Sequence, residues 1–200
     1  MLGAFDTVMA LGIRLPVLWM LTEPRFRFHD QHLGDDVLLG AQALALDETR
    51  AAFQPILWNS AGRTAGRIVQ MWFKGYHADI GGQLRGDESA RPLANIPLVW
   101  MLGQAESAGL PLPEGWRGRF DQDVSAPSVG NWRGWAKAFL ARSPRVAGLD
   151  ASEAMHPSVP RPYKGPAVLT GDLADEAPQP ARLRARRRKR QVRKAGRLLH

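Results

Sequence analysis

Two hundred residues with 44% hydrophobic content and seven tryptophans can bury a core, which excludes a wholly disordered chain. The absence of cysteine excludes disulfides and thiolate metal sites. The formal charge of +8 is segregated: ten of the 27 Lys and Arg fall between Arg182 and Arg197 with no acid among them, leaving 17 basic and 19 acidic side chains elsewhere. The basicity belongs to a C-terminal segment, so it does not make the body a nucleic-acid surface.

The opening MLGAFDTVMALGIRLPVLWML is apolar but carries Asp6 and Arg14 and lacks a basic n-region, so it is a poor signal peptide. No apolar run approaches the roughly 20 residues of a spanning helix. Nothing in the sequence points to the general export route, and the cytoplasm is the default expectation. Leu2 to Phe5 reads as the end of a short buried strand, followed by a turn around Asp6, and residues 22–36 read as a polar loop. Between Asp36 and Phe53, the spacing of Val37, Leu38, Ala41, Leu44, Ala45 and Phe53 predicts a helix. On that helix Asp47, Glu48 and Arg50 form a surface charge cluster, or an ion pair with a sheet edge.

The β-branched and aromatic run IVQMWF predicts a central strand, closed by Gly75. A second helix is expected from about Ala94 to Ala108, stopped by Gly109. Residues 110–130 read as a long loop, and a short amphipathic helix is expected around Trp132 to Leu140. Irregular chain follows to about Leu169, then a linker and the arginine-rich tail. Helix–strand–helix order with an apolar strand indicates an α/β fold with a largely parallel sheet. Only two strands stand out, which suggests an incomplete sheet.

Two residues could carry chemistry. His77 follows the central strand, at the C-terminal edge where parallel sheets gather functional groups, with Gly81 and Gly82 nearby. Asp6 follows the first strand and would lie on the same edge, where a carboxylate can orient an imidazole. Asp79 is a second possible orienting acid. From spacing alone, the plainer readings are a structural histidine and an Asx-turn or N-cap aspartate. The cluster HDQHLGDD at 29–36 matches no metal motif and reads as a solvated loop.

Several segments in order carry a resemblance: FDTVMALGI, ALALDETRAAFQPILW, VQMWFKGYHADIGG, IPLVWMLGQAESAGL and MHPSVPRPYKGP. Together they resemble an α/β-hydrolase family of unassigned function that includes the catalytic domain of type VI secretion lipase and phospholipase effectors. The likeness runs from about Leu2 to Leu169. Phe5, Ala78 and Gln83 depart mildly from the family pattern, in place of tryptophan, serine and glycine. The resemblance implies a serine ester hydrolase with an ester or lipid substrate, His77 as general base, Asp6 as triad acid, and no cofactor. It also implies export by a dedicated secretion system. The family's nucleophile is the serine of a G-x-S-x-G elbow upstream of the D-T-V segment, and this sequence contains no such motif. Ser60, Ser89 and Ser128 each lie in the wrong context for an elbow.

The expectation is therefore residues 1–170 as the C-terminal part of an α/β-hydrolase-like domain, from a truncated protein or a decayed paralogue. Residues 171–200 would form a linker and basic tail. The tail's anionic partner is expected to be a membrane surface or, in a non-catalytic interaction module, nucleic acid.

Overall fold

The computed structural model describes residues 1–8, 32–131 and 140–175. The expected helix around Trp132 and the basic segment 182–197 lie outside the described residues, as does the start of the 29–36 cluster.

Four strands form one sheet: β1 (Leu2–Phe5), β2 (Gly40–Ala45), β3 (Ile68–Phe73) and β5 (Glu153–Met155). Their order is β1-β2-β3-β5 and every pairing is parallel. A separate parallel pair joins β4 (Val146–Ala147) to β6 (Val168–Leu169). The helices are α1 (His77–Ile80), α2 (Arg91–Ser107) and α3 (Gly171–Asp175). The architecture is α/β, with a mostly parallel sheet and few helices. Among the described residues no helix is long and apolar enough to cross a membrane.

The helix expected over 36–53 is corrected: its middle is the buried strand β2. Alanine favours helices, and the i, i+3, i+4 spacing of this segment fits either reading. The tertiary fold decides, because β2 is bonded on both sides and covered on both faces. Such strands read as apolar runs without alternation. Ala41, Ala43 and Ala45 join the cluster with Phe73, Ile80, Leu93 and Ile96 on the α2 side. Leu44 and Leu46 join Trp72, Ala147, Met155, Val159 and Leu173 on the other side. Each fully buried Leu or Phe contributes about 1.5–3 kcal/mol relative to exposure, so these two layers dominate the stability of the fold.

The strand count is corrected too. β5 is three residues without a β-branched side chain, and it escapes pattern reading. A glutamate fixes it in place: Glu153 accepts from Trp72 Nε1 at 2.8 Å and from the backbone N–H groups of Gly148, Leu149 and Asp150. The helix expected from Ala94 begins three residues earlier, with Pro92 in its first turn. Its end agrees, since Gly109 adopts φ +97° and closes the last turn. Because the sheet is parallel, Asp6, Leu46–Arg50, Lys74–His77 and His156 all leave their strands on one edge.

Candidate active site

Asp6 sits one residue past β1 with φ +49°, a left-handed conformation that aspartate tolerates better than most residues. Its N–H donates to Ala43 O at 2.7 Å, which turns the side chain over the end of β2. The carboxylate is completely buried. Oδ1 accepts from the Ala45 N–H at 3.0 Å, and Oδ2 lies 2.7 Å from His77 Nδ1. Arg145 reaches both oxygens, bonding Oδ1 through Nη1 and Oδ2 through Nη2, the latter at 2.9 Å. Burial opposes ionisation of Asp6, but the Arg145 charge and the hydrogen bonds from His77 and Arg145 outweigh it and hold its carboxyl below the ordinary aspartate range.

His77 opens the single turn α1, and its side chain is 23% exposed. An ionised carboxylate only accepts hydrogen bonds, so Nδ1 carries the proton and Nε2 is the nitrogen able to take one from a nucleophile. Phe53 presents to the imidazole at a centroid distance of 5.1 Å and an interplanar angle of 67°. The Arg50 guanidinium lies 3.6 Å over the Phe53 ring. Arg50 is itself paired with fully buried Glu48 through Nε and Nη2, at 3.0 and 2.7 Å. Glu48 also accepts from Asn131 Nδ2 at 3.1 Å and, at a long 3.4 Å, from the His77 N–H. Burial raises the Glu48 pKa, but the Arg50 hydrogen bonds and charge reverse this and lower it.

Glu48 and Arg50 therefore do not lie on an exposed helix face. They form a buried pair at the sheet edge, the other arrangement the sequence allowed. Asp47 accepts from the Gly75 N–H at 2.8 Å and from the Tyr163 hydroxyl at 2.8 Å, and its burial pushes its carboxyl up. The first of these bonds fixes the loop that delivers His77. Gly75 stands at φ +121°, and a Cβ there would come 3.0 Å from Asp79 Cβ.

Asp79, the second candidate acid, makes different bonds. Its Oδ2 accepts from the Tyr76 N–H at 2.8 Å and the Ser128 hydroxyl at 2.5 Å, and its Oδ1 accepts from the Val129 N–H at 2.8 Å. It ties α1 to the 128–130 loop. The Ser60 backbone N–H donates to Asp150 Oδ2 at 3.0 Å, and the Ser89 hydroxyl donates to Asp87 Oδ1. His156, past β5, stacks on Phe73 at 4.6 Å, and its Nδ1 accepts from the Ser158 N–H at 3.2 Å. Among the described residues no group of three or more His, Cys, Asp or Glu has metal-binding geometry.

A family model for the catalytic domain of Tle1-like type VI secretion system (T6SS) phospholipase effectors matches residues 1–104. The chain belongs to this family. Comparison with curated proteins and with solved structures gave no match. In this Tle1-like chain Asp6 and His77 both fall inside the matched stretch, as do Glu48, Arg50 and Phe53. The family is one of secreted phospholipase effectors, which makes lipid the substrate class it implies. Arg145, Asn131 and Tyr163 lie beyond the match, and sequence reasoning missed all three as contributors to this edge. Arg145 has no local signal, since nothing in the segment ARSPRVA sets it apart from Arg142.

Proposed function

We propose that Asp6 and His77 are the acid and base of a Ser-His-Asp triad in a phospholipid-cleaving ester hydrolase. Residues 1–170 would form the C-terminal part of its α/β-hydrolase domain, and 171–200 the linker and basic tail. The observation that carries this reading is the 2.7 Å contact between His77 Nδ1 and the ionised, buried Asp6 at the C-terminal edge of a parallel sheet. In that arrangement His77 Nε2 takes the proton of a serine hydroxyl as it attacks the ester carbonyl, then returns it to the departing alcohol. Water, activated by the same imidazole, releases the acyl group. Asp6 holds the ring in the required tautomer and stabilises the imidazolium.

The serine would come from chain beyond these 200 residues, since they contain no G-x-S-x-G. Translating the bases before the Met1 codon in frame tests this. The expected result is a G-x-S-x-G after an apolar strand, and a protein from the longer frame that releases fatty acid from phospholipid. A closed frame would sink the proposal. It would favour a second reading, a non-catalytic module whose arginine-rich tail grips nucleic acid or another anionic partner. The charge segregation of the tail is the feature behind that reading. For the enzyme, the same tail would serve as a contact to anionic lipid.

A further inference from the structure

Arg145 is 1% exposed and sits just before β4, remote in sequence from every group it touches. Its two terminal nitrogens meet four acceptors from three segments. Nη1 donates to Asp6 Oδ1 and, at 3.1 Å, to Ala45 O. Nη2 donates to Asp6 Oδ2 at 2.9 Å and to Phe53 O at 2.5 Å. A buried guanidinium is costly unless its charge and donors are met. Here Nε is buried with no partner among the described residues, a cost to stability. Apolar residues of similar volume often serve stability as well as a buried ion pair does. What they cannot do is hold a carboxylate by both oxygens.

We propose that Arg145 is a positioning residue of the Asp6–His77 couple, gripping both Asp6 oxygens so that Oδ2 faces Nδ1 and the His77 proton stays on that nitrogen. The proposal rests on the triad reading above for its importance to catalysis, but its geometry stands apart from it. With Oδ1 held by Ala45 N–H and Arg145, and Oδ2 by Arg145 and His77, the carboxylate cannot rotate. Without the guanidinium, a fully desolvated Asp6 favours its neutral form. A neutral carboxyl can donate to Nδ1, which moves the imidazole proton to Nε2. Nε2 is then the wrong partner for a serine hydroxyl. The same arginine seats the imidazole's aromatic wall, since its bond to Phe53 O fixes the residue whose ring meets His77.

The test uses the 200-residue protein labelled with nitrogen-15 at histidine, read at a pH where imidazole is neutral. His77→Gln assigns the His77 resonances by removing them. Wild type is expected to show the Nδ1–H tautomer with a far-downfield Nδ1 proton. In Arg145→Met the downfield proton is lost and His77 moves to the Nε2–H tautomer. His156 is the internal control, because its Nδ1 accepts from the Ser158 N–H and so it is already in the Nε2–H form. Retention of the wild-type His77 tautomer and proton in Arg145→Met, with His156 unchanged, overturns the proposal.

Should Arg145→Met lose the His156 signals through unfolding, Arg145→Lys decides. A single ammonium keeps the charge but lacks the planar fork that bonds the two oxygens in parallel from two nitrogens, so the downfield proton is expected to shift upfield. An identical resonance in folded Arg145→Lys overturns the proposal. The readout is the imidazole and not turnover, so a longer protein carrying the elbow but inactive on phospholipid would count against the proposed function and leave this test intact.

Discussion

Asp6 and His77 are 71 residues apart in sequence, yet Asp6 Oδ2 and His77 Nδ1 stand 2.7 Å apart over the end of β2. β1 and β3 flank β2, so neighbouring-strand spacing puts their backbones about 10 Å apart. Only side chains leaving the two strands on the same edge can bridge that gap. The left-handed turn at Asp6 and the Gly75 bend after β3 supply the two approach directions.

Asp6→Asn tests the acid. It leaves the Arg145 charge buried without a counter-charge, and removal of one partner of a buried pair costs about 3–5 kcal/mol. Urea denaturation should report a loss of that size. In a protein carrying the elbow, phospholipid hydrolysis should fall by roughly 10⁴-fold, as expected when the imidazole loses its tautomer control. Hydrolysis within a few-fold of wild type would remove Asp6 from the triad.

Asp79→Asn and Ser128→Ala should behave differently. Each breaks a bond that joins α1 to the 128–130 loop, for an expected cost of about 1–3 kcal/mol. Neither should alter the tautomer of His77 or its downfield proton. A change in the His77 proton in Asp79→Asn would make Asp79 the orienting acid.

Gly75→Ala should detach the histidine loop. A non-glycine residue in that region of positive φ costs about 1–3 kcal/mol, and the new methyl would press on Asp79 Cβ. The expected outcome is lower stability in denaturation together with a weakened or absent His77 Nδ1 proton signal. Wild-type stability and an intact signal would show that the bend tolerates a side chain.

Acid should unfold the protein in two stages. Burial lowers the His156 pKa from 6.5, so its protonation favours the unfolded chain and stability falls as pH drops below about 6.5 toward the folded value. Asp6 and Glu48 have folded pKa values below 3.8 and 4.5, so their contribution is present above about pH 4.5 and lost as pH falls through those lowered values. Asp47, raised by burial, acts in the opposite sense: above 3.8 it favours the folded state less as it ionises. His156→Gln should remove the upper stage and keep the lower one. Thermal melts from pH 7.5 down to about 2 would read both, and an unchanged upper stage would mean that another group produces it.

Removal of residues 182–200 should weaken binding to phosphatidylserine vesicles by at least about tenfold at low salt, given roughly 1 kcal/mol per basic residue at an anionic surface. Neutral phosphatidylcholine vesicles should show little change. Equal vesicle binding with and without the segment would exclude the lipid role. Tail-dependent, salt-sensitive binding to duplex DNA in its place would favour the interaction-module reading.

Much of this was legible in the residues. The strand at Ile68–Phe73 announced itself by β-branched and aromatic side chains, and α2 by its stop at Gly109. Asp6 and His77 each followed an apolar strand, and the ordered segments around them carried the family likeness that the match over 1–104 bears out. The segregation of charge and the absence of an elbow are also properties of the sequence alone.

The tertiary structure decided the rest, because the information is not local. Ala41 to Ala45 fit helix spacing, and only bonding to β1 and β3 with cover on both faces makes them a strand. β5 is too short to carry a pattern, and it exists because Glu153 gathers Trp72 and three backbone N–H groups. Glu48 and Arg50 are ordinary charged residues until the sheet edge buries them beside His77. Arg145 has no signal at all in its own neighbourhood. Its place is defined by two carbonyls and a carboxylate from segments 92 to 139 residues away, which no reading of adjacent residues can supply.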